Sequence, residues 1–166
     1  MEIAFVDIGA NLMDPVFRHG VYYNGAKRHV PDLDRVLERA KLAGCAQIVV
    51  TSGTMEETRE ALTFAREMGL KCTAGIHPTN ASQYAKDASW VNDLEAVVNG
   101  GADTIVAIGE CGLDYERQHF ASIADQRIVW ERHFRLADRA NLPMFIHSRG
   151  CCPETIDTLK KRSGLR

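Results

Sequence analysis

An α/β fold built on a parallel sheet is what this sequence predicts, and three observations carry the prediction. Short apolar runs recur five times, at 3–8, 47–51, 71–76, 104–109 and 143–147. The segments between them place apolar residues at helical spacing. Two of those segments close on glycines, Gly44 and Gly69, the residue type that ends helices. Strands alternating with helices imply parallel pairing through right-handed crossovers.

Strand one is Ile3–Ile8, followed by a polar loop. A helix opens at Pro31 and carries Leu33, Val36, Leu37 and Ala40 before Gly44; proline inside the start and glycine past the end are the expected punctuation. Strand two is Gln47–Thr51. Thr54 and Glu57 then form a capping box for a helix with Ala61, Leu62, Ala65 and Met68 on its apolar side. Strand three is Lys71–Ile76, with a helix near Ser89–Asn99 after it. Strand four is Thr104–Gly109, and the longest helix, about Ile123–Asn141, repeats Trp130, Phe134 and Ala137. Strand five is Pro143–His147, and a last helix starts near Pro153. Its basic tail, Lys160, Lys161, Arg162 and Arg166, suits a helix C-terminus.

No linker or low-complexity segment divides the chain, so residues 1–166 read as one domain. The five units fit a doubly wound, flavodoxin-like sheet, or the first five units of an eightfold barrel, which typically needs about 250 residues. Strand number does not choose between them. Hydrophobic content of 45% and charged content of 25% are those of a globular protein. No run approaches a membrane span, and the N-terminus lacks the features of a secretory leader. Five cysteines, an odd number with Cys151 and Cys152 adjacent, suit core thiols in a reducing compartment, cytoplasmic or nuclear. A net charge of −2 provides no global field for nucleic acid, so polyanion binding must come from local features.

The strand ends carry the chemistry. They are Asp7-Ile8-Gly9-Ala10-Asn11, Thr51-Ser52-Gly53, Gly75-Ile76-His77-Pro78, Glu110, and His147-Ser148-Arg149. In a parallel sheet these ends share one rim, where active sites of α/β proteins are built. An ionised glutamate closing an apolar strand needs a positive partner, and a carboxylate meeting an imidazole on one rim suits a divalent metal. Each residue also has a plainer reading. Glu110 reads equally as the first solvated loop residue, His147 as a hydrogen-bonded structural group, His77-Pro78 as a turn, and Asn11 as a cap. Asp7, among Ile3–Val6 and Ile8, is expected to be functional or tightly hydrogen-bonded. In the loop after strand one, Arg18, His19, Lys27, Arg28 and His29 surround Tyr22 and Tyr23. Cations interleaved with aromatics suit phosphate and stacked bases, although a solvated loop has the same composition.

FVDIGANL at strand one, GIHPT at strand three, VAIGECGLDY at strand four and LPMFIHSRG at strand five together resemble the TatD-related metal-dependent deoxyribonucleases. The DIGxNL form resembles the eukaryotic branch. Many bacterial members carry His-x-His where Gly9 and Asn11 stand. The resemblance implies a (β/α)₈ TIM barrel of the metal-dependent hydrolase type, present here as about five βα units. It implies a divalent metal cofactor (Mg, Mn or Zn), DNA as substrate and phosphodiester hydrolysis. By the same resemblance Glu110 and His147 are metal ligands, and His77 and Arg149 lie near the scissile phosphate. Loss of the His-x-His pair removes two imidazoles and leaves Asp7, Asn11 and water for that position. The family's later ligands, a histidine and an aspartate, fall beyond Arg166, so a fragment, a split gene product or a truncated form of reduced activity is expected. A metal-dependent amide or ester hydrolase and a non-catalytic interaction module are the alternatives. A flavodoxin-like nucleotide binder is disfavoured, because no G-x-G-x-x-G turn follows strand one.

Overall fold

The computed structural model describes residues 4–162. Its elements in order are β1 (Phe5–Ala10), α1 (Pro15–His19), α2 (Leu33–Leu42), β2 (Cys45–Val50), α3 (Met55–Met68) and β3 (Lys71–Ala74). A 3₁₀ turn (Pro78–Asn80), α4 (Ala81–Tyr84), α5 (Ser89–Gly100), β4 (Ile105–Asp114), α6 (Ile123–Ala140), β5 (Met144–Arg149) and α7 (Cys152–Lys161) complete it. Ile3 and Arg166, read as part of strand one and of the basic tail, lie outside the described residues.

The five strands pair in parallel in the order β1-β2-β3-β4-β5. That order decides between the two architectures. A flavodoxin-like sheet winds in both directions from its first strand, giving 2-1-3-4-5, whereas a barrel adds each strand beside the last. The chain therefore builds an arc of a barrel. The arc curls: a Cβ built on Gly9 of β1 would lie 3.1 Å from the Phe145 ring on β5, four strands away.

The helices cover one face because their apolar residues recur at helical spacing. Thr58, Ala61, Phe64 and Ala65 of α3, Trp90, Leu94 and Val98 of α5, and Val129, Leu136 and Ala137 of α6 are buried. They close over Val50, Cys72, Ala74, Ile105 and Ile108 from the strands. A second cluster joins Cys111 and Leu113 of β4 to Trp130, Phe134 and Cys151. Half of the predicted capping box forms, with Thr54 Oγ1 accepting from the Glu57 N–H at 3.0 Å, while Glu57 Oε2 reaches past Thr54 to accept from the Gly53 N–H at 2.8 Å. Asn141 ends α6 in the left-handed conformation, so the helix stops one residue short of the predicted bound.

Three expectations are corrected. Strand four does not finish at Gly109 but runs ten residues to Asp114, because its second half pairs with β5 from Cys111 to Asp114. Glu110 therefore lies inside a strand and is not the first loop residue. The helix expected from Pro31 begins at Leu33. The loop after β1 contains α1, with Pro15 in its first turn and the Asp14 carboxylate accepting from the Val16 N–H at 2.8 Å. β1 is exposed along Phe5, Val6 and Ile8, as an edge strand with no neighbour on one side among the described residues. No helix among those residues is long and apolar enough to cross a membrane.

Candidate metal centre

The ends of β2 and β3 build one side of the site. The Glu110 N–H donates to Ser52 O at 3.0 Å and the His77 N–H to Gly53 O at 2.9 Å, so the turn after β2 fixes both backbones. Asn80 Nδ2 donates to the same Gly53 carbonyl at 2.9 Å. His77 is extended, as a residue before proline must be, and caps the 3₁₀ turn. Thr79 offers His77 Nδ1 a hydroxyl at 2.7 Å and a backbone N–H at 3.2 Å. Unprotonated, Nδ1 accepts from both; protonated, it donates to the hydroxyl and gives up the N–H, and Nε2 then faces the site with a free lone pair.

Strands β4 and β5 build the other side. Cys111 and Leu113 face the α6 core, and alternation puts Glu110, Gly112 and Asp114 on the opposite face. His147 pairs directly with Gly112. Glycine is required there: its φ is 136°, and a Cβ would lie 2.1 Å from His147 O. The Gly109–Glu110 peptide is cis.

These placements bring three sequence-predicted residues together. His147 Nδ1 lies 2.9 Å from Glu110 Oε1 and 3.3 Å from His77 Nε2, and the last two atoms are 3.8 Å apart. All three side chains are largely buried. Such a triangle is equidistant from a point about 2 Å from each corner, the length of a zinc–nitrogen or zinc–oxygen bond. Two imidazoles and a carboxylate are a donor set suited to Zn²⁺ or Mn²⁺, and the oxygen also admits Mg²⁺. The three residues thus fit a divalent metal in number, type and spacing.

The electrostatics agree. The hydrogen bond from His147 holds the Glu110 carboxyl below its usual range, helped by the charges of His77, His147 and Arg149. Burial pushes the His77 imidazole down to about 4, against the opposing pull of Glu110. A metal-facing histidine must be neutral to ligate, and burial favours that form. Arg149 sits at the C-terminal end of β5, opposite Asp114, and acts on Glu110 through space.

The remaining candidates stay apart from this cluster. Asp7 is exposed and accepts from the Gly9 N–H at 3.1 Å, and Asn11 is exposed beyond it. The loop at 18–29 is folded: Val21 bridges Lys27, Tyr22 meets His29 edge-on, and Tyr23, 92% exposed, donates its hydroxyl to Asp14 at 2.9 Å.

Three buried polar residues that hold the site's surroundings were not among the sequence candidates. Asp114 is fully buried and its Oδ2 lies 3.1 Å from His147 Nε2. Gln126 of α6 brackets Asp114, its Oε1 accepting from the Asp114 N–H at 2.8 Å and its Nε2 donating to Asp114 O at 3.0 Å. His133, two helical turns further along α6, accepts the Ile76 N–H on Nε2 at 2.9 Å and donates from Nδ1 to Val129 O at 2.8 Å. One helix face thereby braces the backbone beside His77 and at Asp114.

Known proteins share this arrangement of strands. The family model described as TatD related DNase matches residues 6–165. The deoxyribonuclease Tat-D of Schizosaccharomyces pombe is 36% identical over 96% of this chain and 53% of its own length. The 3'-5' ssDNA/RNA exonuclease TatD of Cronobacter sakazakii is 35% identical over 86% of this chain and 48% of its own. The crystal structure of a TatD family hydrolase from Entamoeba histolytica superposes with a TM-score of 0.85 at 32% identity, covering 97% of this chain and 55% of that one. An uncharacterized amidohydrolase from Saccharomyces cerevisiae superposes equally well, with a TM-score of 0.85 at 29% identity, covering 95% and 51%. The chain spans about half the length of the curated relatives it matches. Sequential strand order, the motifs at the strand ends and a match over nearly every residue coincide, and the chain belongs to the TatD-related DNase family.

Proposed function

We propose that this chain carries metal-binding residues of a nuclease that hydrolyses phosphodiester bonds of DNA. The observation that carries the reading is the triangle of His77 Nε2, Glu110 Oε1 and His147 Nδ1. Catalytic metals commonly take about three protein ligands and keep one position open, and His77 raises the expected pair to that number. When bound, the cation supplies Lewis acidity toward phosphoryl oxygen and water. Glu110 provides the negative charge that holds it, and the two neutral imidazoles leave the centre net positive toward a phosphate. Arg149, at the rim beyond His147, is placed to neutralise a phosphate oxygen through charge-assisted hydrogen bonds. Lys27, Arg28 and Tyr23 in the loop after β1 offer the strand a basic and aromatic contact.

The test is calorimetric titration of the 166-residue chain with Mn²⁺ and Zn²⁺, followed by incubation with end-labelled single-stranded DNA and plasmid. Stoichiometric metal binding and metal-dependent cleavage are expected, and Glu110→Ala abolishes both with its circular dichroism and Tm intact. Wild-type cleavage by that variant would remove Glu110 from the site. A second reading, hydrolysis of an amide or ester, is favoured by the likeness to the yeast amidohydrolase, since fold and metal do not fix substrate. A panel of amides beside the DNA substrates separates the two.

A further inference from the structure

We infer that Asp114 is a positioning residue, which fixes the ring of His147 so that Nδ1, and not Nε2, is presented to Glu110, His77 and a metal. The inference rests on the proposed metal site and goes beyond it by assigning a residue that donates nothing to the metal itself.

The two carboxylate oxygens of Asp114 have different work. Oδ1 accepts from the Glu116 N–H at 3.2 Å and the Arg117 N–H at 3.0 Å, closing the turn at the end of β4. A turn of this kind needs one oxygen only. Oδ2 faces His147 Nε2 at 3.1 Å, with Arg117 Nε at 3.9 Å. A carboxylate with none of its side chain exposed is costly unless every lone pair is used. Here the second oxygen is used on an imidazole whose other nitrogen points into the donor triangle.

Both carboxylates that face the ring only accept when ionised, Asp114 Oδ2 at Nε2 and Glu110 Oε1 at Nδ1. Asp114 has no solvent to turn to, whereas Glu110 is 27% exposed, so a neutral ring keeps its one proton on Nε2 and its Nδ1 lone pair is free. Ligating histidines characteristically donate their other N–H to a carboxylate or carbonyl, which sets the tautomer. Asp114 is itself held rigidly, its backbone N–H and C=O both bonded by the buried amide of Gln126. Asp114 lies across the ring from the triangle, outside the group of donor atoms that converge within 4.8 Å.

Asp114→Asn tests this with little change of shape. Asparagine keeps an oxygen for the Glu116 and Arg117 N–H groups but turns an NH₂ toward His147. Nε2 must then accept, and the ring proton moves to Nδ1, where a metal would bind. Two readouts follow on the full chain. In ¹⁵N-histidine-labelled, metal-free protein at alkaline pH, NMR is expected to show the His147 proton on Nε2 in the wild type and on Nδ1 in D114N. Titration with Zn²⁺ alone is expected to show about 10–100-fold weaker binding in D114N, with Tm near that of the wild type. A wild-type ring protonated on Nδ1 overturns the inference whether or not the variant folds, as does D114N with unchanged tautomer or unchanged Zn²⁺ affinity. If the tautomer switches but the wild type binds no Zn²⁺, Asp114 still sets the ring and it is the metal reading that falls.

Discussion

His133 makes a quantitative prediction, because both of its ring nitrogens are committed inside the core. Nε2 accepts from the Ile76 N–H and Nδ1 donates to Val129 O, so the buried ring is neutral. Protonation would set an N–H against the Ile76 N–H with no solvent to absorb it. Burial lowers the imidazole pKa to about 4, only partly offset by the bond to Val129. In the unfolded chain the same group titrates near 6.5. The native value lies below the unfolded one, so the contribution is full above pH 6.5. As pH falls the unfolded chain takes up the proton first, and the contribution is gone below about pH 4. A gap of that size corresponds to about 3 kcal/mol. With urea slopes of about 1–3 kcal/mol/M, it moves the midpoint by about 1–3 M.

His77 titrates through the same window, so the informative quantity is the difference between wild type and His133→Gln, whose amide oxygen can still accept from Ile76. Urea unfolding followed by circular dichroism from pH 7 to pH 4 is the assay. At pH 7 the variant is expected to be less stable by about 1–2 kcal/mol. At pH 4 that deficit vanishes or reverses, because the wild type alone has lost the contribution. Parallel stability curves for the two proteins would refute the reasoning.

Two further outcomes are expected. Gly75→Ala places a Cβ 2.6 Å from Gly109 Cα, a backbone contact that cannot rotate away. It should cost about 1–3 kcal/mol, read as a lower Tm, and weaken metal binding through Glu110, the next residue. Gly9→His, which restores one bacterial-type imidazole, meets the Phe145 ring at 3.1 Å. Calorimetry should show no gain in Zn²⁺ affinity from that change alone, and a gain only when Phe145→Ala accompanies it.

The site was legible in the sequence to the extent that its residues stand at the ends of apolar runs. Glu110 and His77 each follow such a run and His147 closes one, and parallel pairing is enough to collect them. Asp114 was hidden because the strand was expected to stop at Gly109, and beyond that point alternation was not followed. Glu110 and Asp114 are four apart and share a face only if the strand continues, which the pairing with β5 shows. A clue lay in CGLDY, where apolar Cys111 and Leu113 still alternate with Gly112 and Asp114. Gln126 and His133 were invisible for another reason. Each sits on a helix face otherwise apolar, and a polar residue there is indistinguishable in sequence from an ordinary core hydrogen bond. Sheet order was likewise beyond strand counting, since it depends on which side of its predecessor each strand is laid. The exposure of Asp7 follows from its place on the open edge, not from its own neighbours in sequence.

A single rod, α6, grips two strand tips through side chains seven residues apart, Gln126 at the end of β4 and His133 on Ile76 just past β3. Those tips cannot drift independently: tilting or sliding the rod displaces both jaws of the ion-binding clamp in concert. Replacements along that buried face, well away from any donor atom, should therefore register as altered ion affinity before they register as loss of the fold. The helix is as much a part of the chemistry as the residues it never touches.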